Sequence, residues 1–418
     1  MSGRDRFAAL GVDITERAQR YVQAVLAPPL VVGSGAVDEW LRDAVLQSGA
    51  APPLPLTCED MEVLQLPTQL FDEEEQFFAV VMRRHTLDVG DEALAHLRLP
   101  DGWPLKRRGP AVLLTGSPGI GKTEAFTVAL LRGLLRGEAG PAPPVIIIDK
   151  RATTTVIKLR FNIEDGRAVS VRSAHSIDQQ DFRASDPDLK LSSTVFIVDP
   201  AKKSSVAGSP PDVVARTIVI ASPNDVHYKQ FMTRRPRPKA LYMRCWTLAE
   251  LLVARPFMFP ETDGKTLVER WVKQGGVPRS LESDSSCTTA CDRTDTAIEA
   301  LPFAVVRKLF WYPHKANVVE GGDDTPNSAV LTYVESEKPF TRPMMGFLSK
   351  WVETVVLTRM RVGVMSLILS ADADHRVSFG HVFERVGFIM LCDGGVARVG
   401  YLPSRSGGLY ALLACSHA

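Results

Sequence analysis

Charge of one sign is what this sequence lacks. Its 49 lysines and arginines stand against 48 aspartates and glutamates, a net charge of +1. That balance gives no global attraction to nucleic acid or membrane, so any such binding must come from a local patch. Cysteine is scarce, with six in 418 residues. Only Cys287 and Cys291 are close, in a polar stretch with no second Cys or His pair nearby, so the spacing does not support a zinc site. This usage fits a reducing compartment. Long apolar runs are missing too. The most apolar late stretch, 352–369, is broken by Arg359 and Arg361 and is too charged to cross a bilayer. No apolar core follows residues 1–6, so no signal peptide is expected. No internal repeat at solenoid periods is present. The expectation is a soluble, intracellular protein of two or three domains with ample core.

What is there centres on Gly116-Ser117-Pro118-Gly119-Ile120-Gly121-Lys122-Thr123. It fits G-x-x-x-x-G-K-[ST], the phosphate-binding P-loop. An apolar run at 111–115, bounded by Gly109-Pro110, reads as a buried strand before it. After it, 124–136 places Phe126, Leu130, Leu131 and Leu134 on one helical face. Strand, glycine loop and helix is the order the chemistry needs. Glycines bring backbone N–H groups close to oxygen, and the following helix N-terminus completes an anion cradle. Lys122 would reach the β- and γ-phosphates of ATP, and the Thr123 hydroxyl would hold Mg2+. The competing reading is a glycine turn with a solvated lysine.

Around this loop the chain divides into four parts. Residues 1–105 read as a mostly helical N-terminal region. Helices are expected at 14–26, with Asp13 as cap and Glu16 at the capping-box position, and at 37–46. Another is expected where Asp72 and Glu75 precede Phe77, Val80 and Val81, and 49–55 reads as a linker. Residues 106–255 alternate strands and helices, the pattern of an α/β core. Strands are expected at 111–115, 145–149, 195–199, 217–221 and 240–243, as short runs of a mostly parallel sheet buried on both faces. A hairpin of 153–161 and 167–171 around a five-residue turn, 162–166, is expected at the sheet edge. A helix at 248–254 ends the core. Residues 256–300 read as a helical lid, with a helix at 266–273 and a Ser/Thr/Asp-rich loop at 280–296. Residues 301–418 form a mixed α/β region, with a polar turn at 321–326, a strand at 328–334 and a helix at 344–357.

A P-loop needs a partner for its metal. Val195–Asp199 is four apolar residues ending in a carboxylate, the Walker B pattern. On a strand next to the loop strand, Asp199 would sit on Mg2+, often through water, with an ordinary strand-end Asp the alternative. The next residue is Pro200, where many ATPases of this kind carry a water-activating Glu. Ser222 and Asn224 follow the 217–221 strand and are candidates for contact with the attacking water or the γ-phosphate, with turn chemistry the equal alternative. Arg234, Arg235 and Arg237 form the strongest basic cluster. Its prolines suggest an exposed, extended segment. Three readings stand: a solvated loop, a phosphate- or nucleic-acid-binding patch, and an arginine finger acting on a neighbouring subunit of a homo-oligomer. Lys106-Arg107-Arg108 is smaller and reads as a solvated linker. Gly275-Gly276-Val277-Pro278-Arg279 closes the helical segment, and Arg279 is a candidate γ-phosphate sensor or an exposed arginine on a turn.

With these residues assembled, the chain resembles the retrotransposon hot spot proteins of trypanosomes. The resemblance rests on Leu114 to Thr123, then Ile197-Val198-Asp199, then Ile218 to Asn224, then Gly276-Val277-Pro278-Arg279. It covers roughly 105–285. It implies a P-loop NTPase core of the ASCE/AAA-like kind, binding ATP and Mg2+, in a multigene family whose members are often longer. It also implies a nuclear or perinuclear location and links to chromatin, RNA polymerase II and mRNA export. Two other readings stay open: a scaffold that binds nucleotide without turnover, which Pro200 motivates, and a nucleic-acid-binding protein working through the 234–239 cluster. The site residues expected are Gly116 to Thr123 for nucleotide, Thr123 and Asp199 for metal, and Lys122, Asp199, Asn224 and Arg279 for catalysis.

Overall fold

Short aliphatic runs build the centre of the molecule, and polar segments with caps build its rim. The computed structural model describes residues 12–32, 59–66, 78–150, 155–178, 182, 186–199, 213–223, 228–235, 238–311, 329–336, 338–360, 363–364, 396–403 and 409–416. The expected helix at 37–46, the linker at 49–55, the Asp72/Glu75 cap and the turn at 321–326 lie outside them.

The N-terminal region starts with strand β1 (Val12–Asp13) and helix α1 (Thr15–Leu26). Asp13 accepts from the Thr15 N–H at 2.9 Å and from its hydroxyl at 2.6 Å, so it closes an Asx turn while Ile14 takes the cap position. The region is less helical than expected. β2 (Leu30–Val32), β3 (Met61–Leu66) and β4 (Phe78–Met82) form an antiparallel sheet, followed by helix α2 (Arg84–Leu97). Val80 and Val81 therefore lie on a strand. A short apolar run reads the same by periodicity in a buried helix or strand, and its β-branched residues pair with β3.

Among the described residues the core sheet holds eight strands. β5 (Ala111–Gly116) leads through one π-helical turn (Lys122–Phe126) into α3 (Thr127–Arg136). Then come β6 (Val145–Lys150), the hairpin β7 (Thr155–Glu164) and β8 (Arg167–Asp178), and β9 (Val195–Asp199). β10 (Arg216–Ala221), α4 (Lys229–Arg234) and β11 (Lys239–Met243) complete it. The order is β1-β8-β7-β6-β9-β10-β5-β11. From β6 to β11 all neighbours are parallel, whereas β7, β8 and β1 are antiparallel additions at one edge, so the sheet is mixed. The expected strands appear within one residue of their bounds. The hairpin turn is tighter than expected: Asp165 and Gly166, at φ 47° and 76°, join strands that continue through 162–164. Two positive-φ residues match the right-handed twist of the strands they connect.

Both faces of the parallel part are covered, which is why its strands lack polar alternation. Val112 and Leu114 face the large core built with α1, α2 and α3, while Ala111 and Leu113 join Phe231 and Val219 on the other side.

Beyond the sheet, α5 (Leu248–Met258) begins with a full capping box between Thr247 and Glu250. α6 (Gly264–Gln274) is capped by Asp263, and α7 (Asp284–Ala300) by Ser283. The expected loop at 280–296 is thus mostly helix. Its serines, threonines and aspartates are modest helix formers, but Cys287, Thr294, Ala297 and Ile298 bury one face, and tertiary packing overrides propensity. α8 (Phe303–Trp311) follows. β12 (Leu331–Ser336) pairs with β13 (Pro343–Phe347), and α9 (Lys350–Arg359) starts at the Ser349 cap. The expected helix at 344–357 therefore divides into a strand and a helix. β14 (Val396–Pro403) and β15 (Leu409–Ser416) form a separate antiparallel pair. Among the described residues no helix is long and apolar enough to cross a membrane.

Candidate functional site

The carboxyl ends of the parallel strands are where open α/β sheets place ligands, and the glycine loop lies there. β5 ends at Gly116. Gly119 and Gly121 take φ of 81° and 91°, values an L side chain rarely adopts, so the loop needs glycine at both positions. The turn that follows is π-helical, with the Phe126 N–H donating back to Gly121 O at 3.4 Å. Such turns widen a helix start and recur at functional sites.

Lys122 is buried at 7% exposure. Its Nζ donates to Gly116 O at 2.7 Å and Ser117 O at 2.6 Å, so the ammonium lies within the loop it follows. The Thr123 hydroxyl donates to Asp199 Oδ2 at 2.9 Å. One expectation is corrected: β9 is not next to β5, because β10 lies between them. Thr123 closes that distance from the first turn after the loop. Ser222 follows Ala221, which pairs with Thr115, so it stands level with the start of the loop. Asn224 and Pro200 lie outside the described residues.

Arg279 is brought to the loop. A Cβ on Gly119 would meet Arg279 Cβ at 2.9 Å and Val277 Cγ1 at 3.2 Å, so this segment packs directly on the glycine. Gly276 O accepts from the Trp246 N–H at 2.9 Å, and Trp246 Nε1 donates to Ile120 O at 3.1 Å. Trp246 thereby joins the loop to the helical segment. From the other side, the Ser117 hydroxyl bonds the Thr332 hydroxyl on β12, which also bonds Cys245 Sγ at 2.8 Å.

Behind the loop sits an ionic cluster that sequence reasoning missed. Arg83 is fully buried and lies 5.0 Å over the Trp246 ring. It donates to Cys245 O at 2.7 Å, to Arg244 O, and to Glu250 at 3.2 Å. Arg244 forks onto Glu250 at 2.7 and 2.9 Å. Burial alone would raise the Glu250 carboxyl, but Arg83 and Arg244 outweigh it and hold the group down to about 2. Burial lowers Arg83 to about 10, against the pull of Glu250. Burial, then Arg83 and Arg244, push His85 down to about 2. The neutral imidazole Nε2 accepts from the Arg244 N–H at 3.2 Å. Nothing local marks Arg83, which lies over 160 residues away in sequence from Glu250.

The basic cluster departs from expectation. Arg234 is exposed and ends helix α4, but Arg235 is buried at 4%, donating to Thr217 Oγ1 at 2.8 Å. Both lie at the amino ends of the strands, the pole opposite the loop. Arg237 lies outside the described residues. Neither arginine is placed on this chain's own loop.

The donor set suits phosphate and magnesium. Two left-handed glycines leave N–H groups free to converge, Lys122 supplies charge, and Thr123 with Asp199 offers a hydroxyl beside a carboxylate. Mg2+ takes few protein ligands and keeps water. No protein-family model matches the chain, and no curated protein matches it.

Proposed function

We propose that this chain is a P-loop ATPase of the ASCE/AAA-related kind. The observation that carries the reading is the Thr123 to Asp199 hydrogen bond of 2.9 Å, closed across an intervening strand beside a buried Lys122. In this reading the phosphates of ATP take the loop N–H groups, and Lys122 exchanges carbonyl oxygens for phosphate oxygens. Thr123, and indirectly Asp199, would hold Mg2+, which would supply positive charge against the phosphates. Arg279, seated on Gly119, brings a second cation to the rim. Because Gly276 and Val277 pack on Trp246 and Gly119, a change in the loop would reach the helical segment 256–300 directly.

The resemblance to retrotransposon hot spot proteins extends the proposal to a nuclear ATPase acting with chromatin, RNA polymerase II or mRNA export factors. A second reading is favoured by Pro200, which puts no carboxylate after Asp199: a scaffold that binds ATP and does not turn it over. Phosphate release from the purified protein with Mg-ATP, beside Lys122→Ala, separates them. Turnover lost in the variant supports the ATPase. ATP binding without turnover supports the scaffold. Equal ATP affinity in both proteins would remove the site altogether.

A further inference from the structure

The pole of the sheet opposite the loop gathers positive charge from four separate stretches. The Gly109 N–H donates to Val214 O at 2.7 Å, and the Ser192 N–H to Leu105 O at 2.8 Å. Arg216 Nη2 donates to Ser193 O at 2.9 Å, and Arg108 Nη1 to Arg234 O at 3.4 Å. The segments 104–110, 190–194, 213–217 and 234–235 thus meet where β5, β9 and β10 begin. Lys106, Arg107, Arg108, Lys190 and Arg234 are exposed on this end. No Asp or Glu occurs in 102–123 or in 226–249. Asp101 is exposed and directly precedes the first of these stretches. Asp186 and Asp188 are buried and locked to Lys158 and Arg160.

Two features go beyond a solvated basic face. Arg216 is 3% exposed, and its Nε has no hydrogen-bond partner among the described residues, so a buried guanidinium adds positive potential from beneath Gly109. Arg107 stacks on the half-buried Trp103 ring at 4.2 Å. Arginine predominates over lysine, and its planar fork matches phosphate oxygens in pairs. An arginine stacked on an indole is also a platform on which a base can continue the stack.

We propose that this pole is a binding surface for single-stranded nucleic acid. Lys106, Arg107, Arg108, Lys190 and Arg234 take the backbone, and the Trp103–Arg107 stack takes a base. The surface is separated from the glycine loop by the strand length, about 17 Å at ~3.3 Å per residue. It stands whether or not ATP is turned over.

The test is fluorescence anisotropy of a labelled single-stranded 20-mer with the full chain over a range of salt. Affinity should fall steeply with salt, as expected for release of several counterions. The triple variant R107E/R108E/R234E should bind at least about thirtyfold more weakly, with a flatter salt slope. All three residues are exposed, and an unchanged melting temperature shows that the fold survives. Trp103→Ala should weaken single-stranded binding about tenfold and spare binding to a blunt duplex. Lys122→Ala should bind the oligonucleotide as the wild type does. Wild-type affinity in the triple variant would overturn the proposal. So would binding of phosphatidylserine vesicles in place of the oligonucleotide, lost in the same variant, because the surface would then be a membrane face.

Discussion

Two buried ionic clusters differ in their balance. At the hairpin, Lys158 bonds Asp186 at 2.8 Å and Asp188 at 2.6 Å, and Arg160 bonds Asp188 at 2.7 Å. Two cations meet two carboxylates, and the cluster closes on itself. Behind the loop, Arg83 and Arg244 share Glu250, and His85 beside them is neutral. Two cations meet one carboxylate. The first cluster ties the hairpin to the turn before β9. The second leaves positive charge next to Trp246 and the loop, where an anion would be bound. A balanced cluster serves the fold, and an unbalanced one suits a ligand.

The sharpest way to break this comparison is to cut each cluster in turn. Lys158→Met leaves two buried carboxylates without their ammonium and should destabilise the fold by about 3–5 kcal/mol. Chemical denaturation would show it, and ATP affinity in the surviving folded protein should not change. Lys122→Ala should do the reverse. Loss of a charge-assisted contact to phosphate is worth about 1.5–3 kcal/mol, or roughly 10- to 150-fold in ATP affinity by calorimetry, with little loss of stability.

Acid should act on the second cluster. The folded value of His85, about 2, lies below its ordinary 6.5, so the unfolded chain takes the proton first. Its contribution is complete above pH 6.5 and is lost as pH falls. Glu250, about 2 against 4.5, adds the same sign below pH 4.5. Stability should fall by up to about 1.4 kcal/mol per pH unit for each group. His85→Gln should remove the upper part of this limb in denaturation measured from pH 7 to 4. The smallest effect expected is at the rim, where Arg279→Ala should weaken ATP binding by up to about fivefold with no change in melting temperature.

The strands of the core were legible because burial on both faces leaves an unbroken apolar run. The loop was legible as a pattern because glycine, lysine and threonine stand at fixed spacing, and Gly119 and Gly121 do take positive φ. Helix α7 was not, since Cys287, Ala297 and Ile298 give a weak stripe among polar residues, and the partner that buries it is distant in sequence. The strand character of Val80 and Val81 comes from pairing with β3, which no local signal announces. The site divides in the same way. Thr123 and Asp199 could be named from their motifs, but not the strand between them. Arg83 and His85 reach the Arg244-Cys245 stretch behind the loop from over 150 residues before it, Thr332 reaches Ser117 from over 200 residues after it, and only the fold joins them.

The pattern of strands and helices changes near residue 105, and a chimera with any similar chain would naturally be spliced there. Arg83 lies before that seam, while Glu250, Arg244 and Trp246 lie after it. A hybrid would take its glycine loop from one parent and the counter-charge behind it from the other. Shuffling at this seam should therefore be tolerated only between parents that agree at both 83 and 250, a covariation imposed by one buried guanidinium.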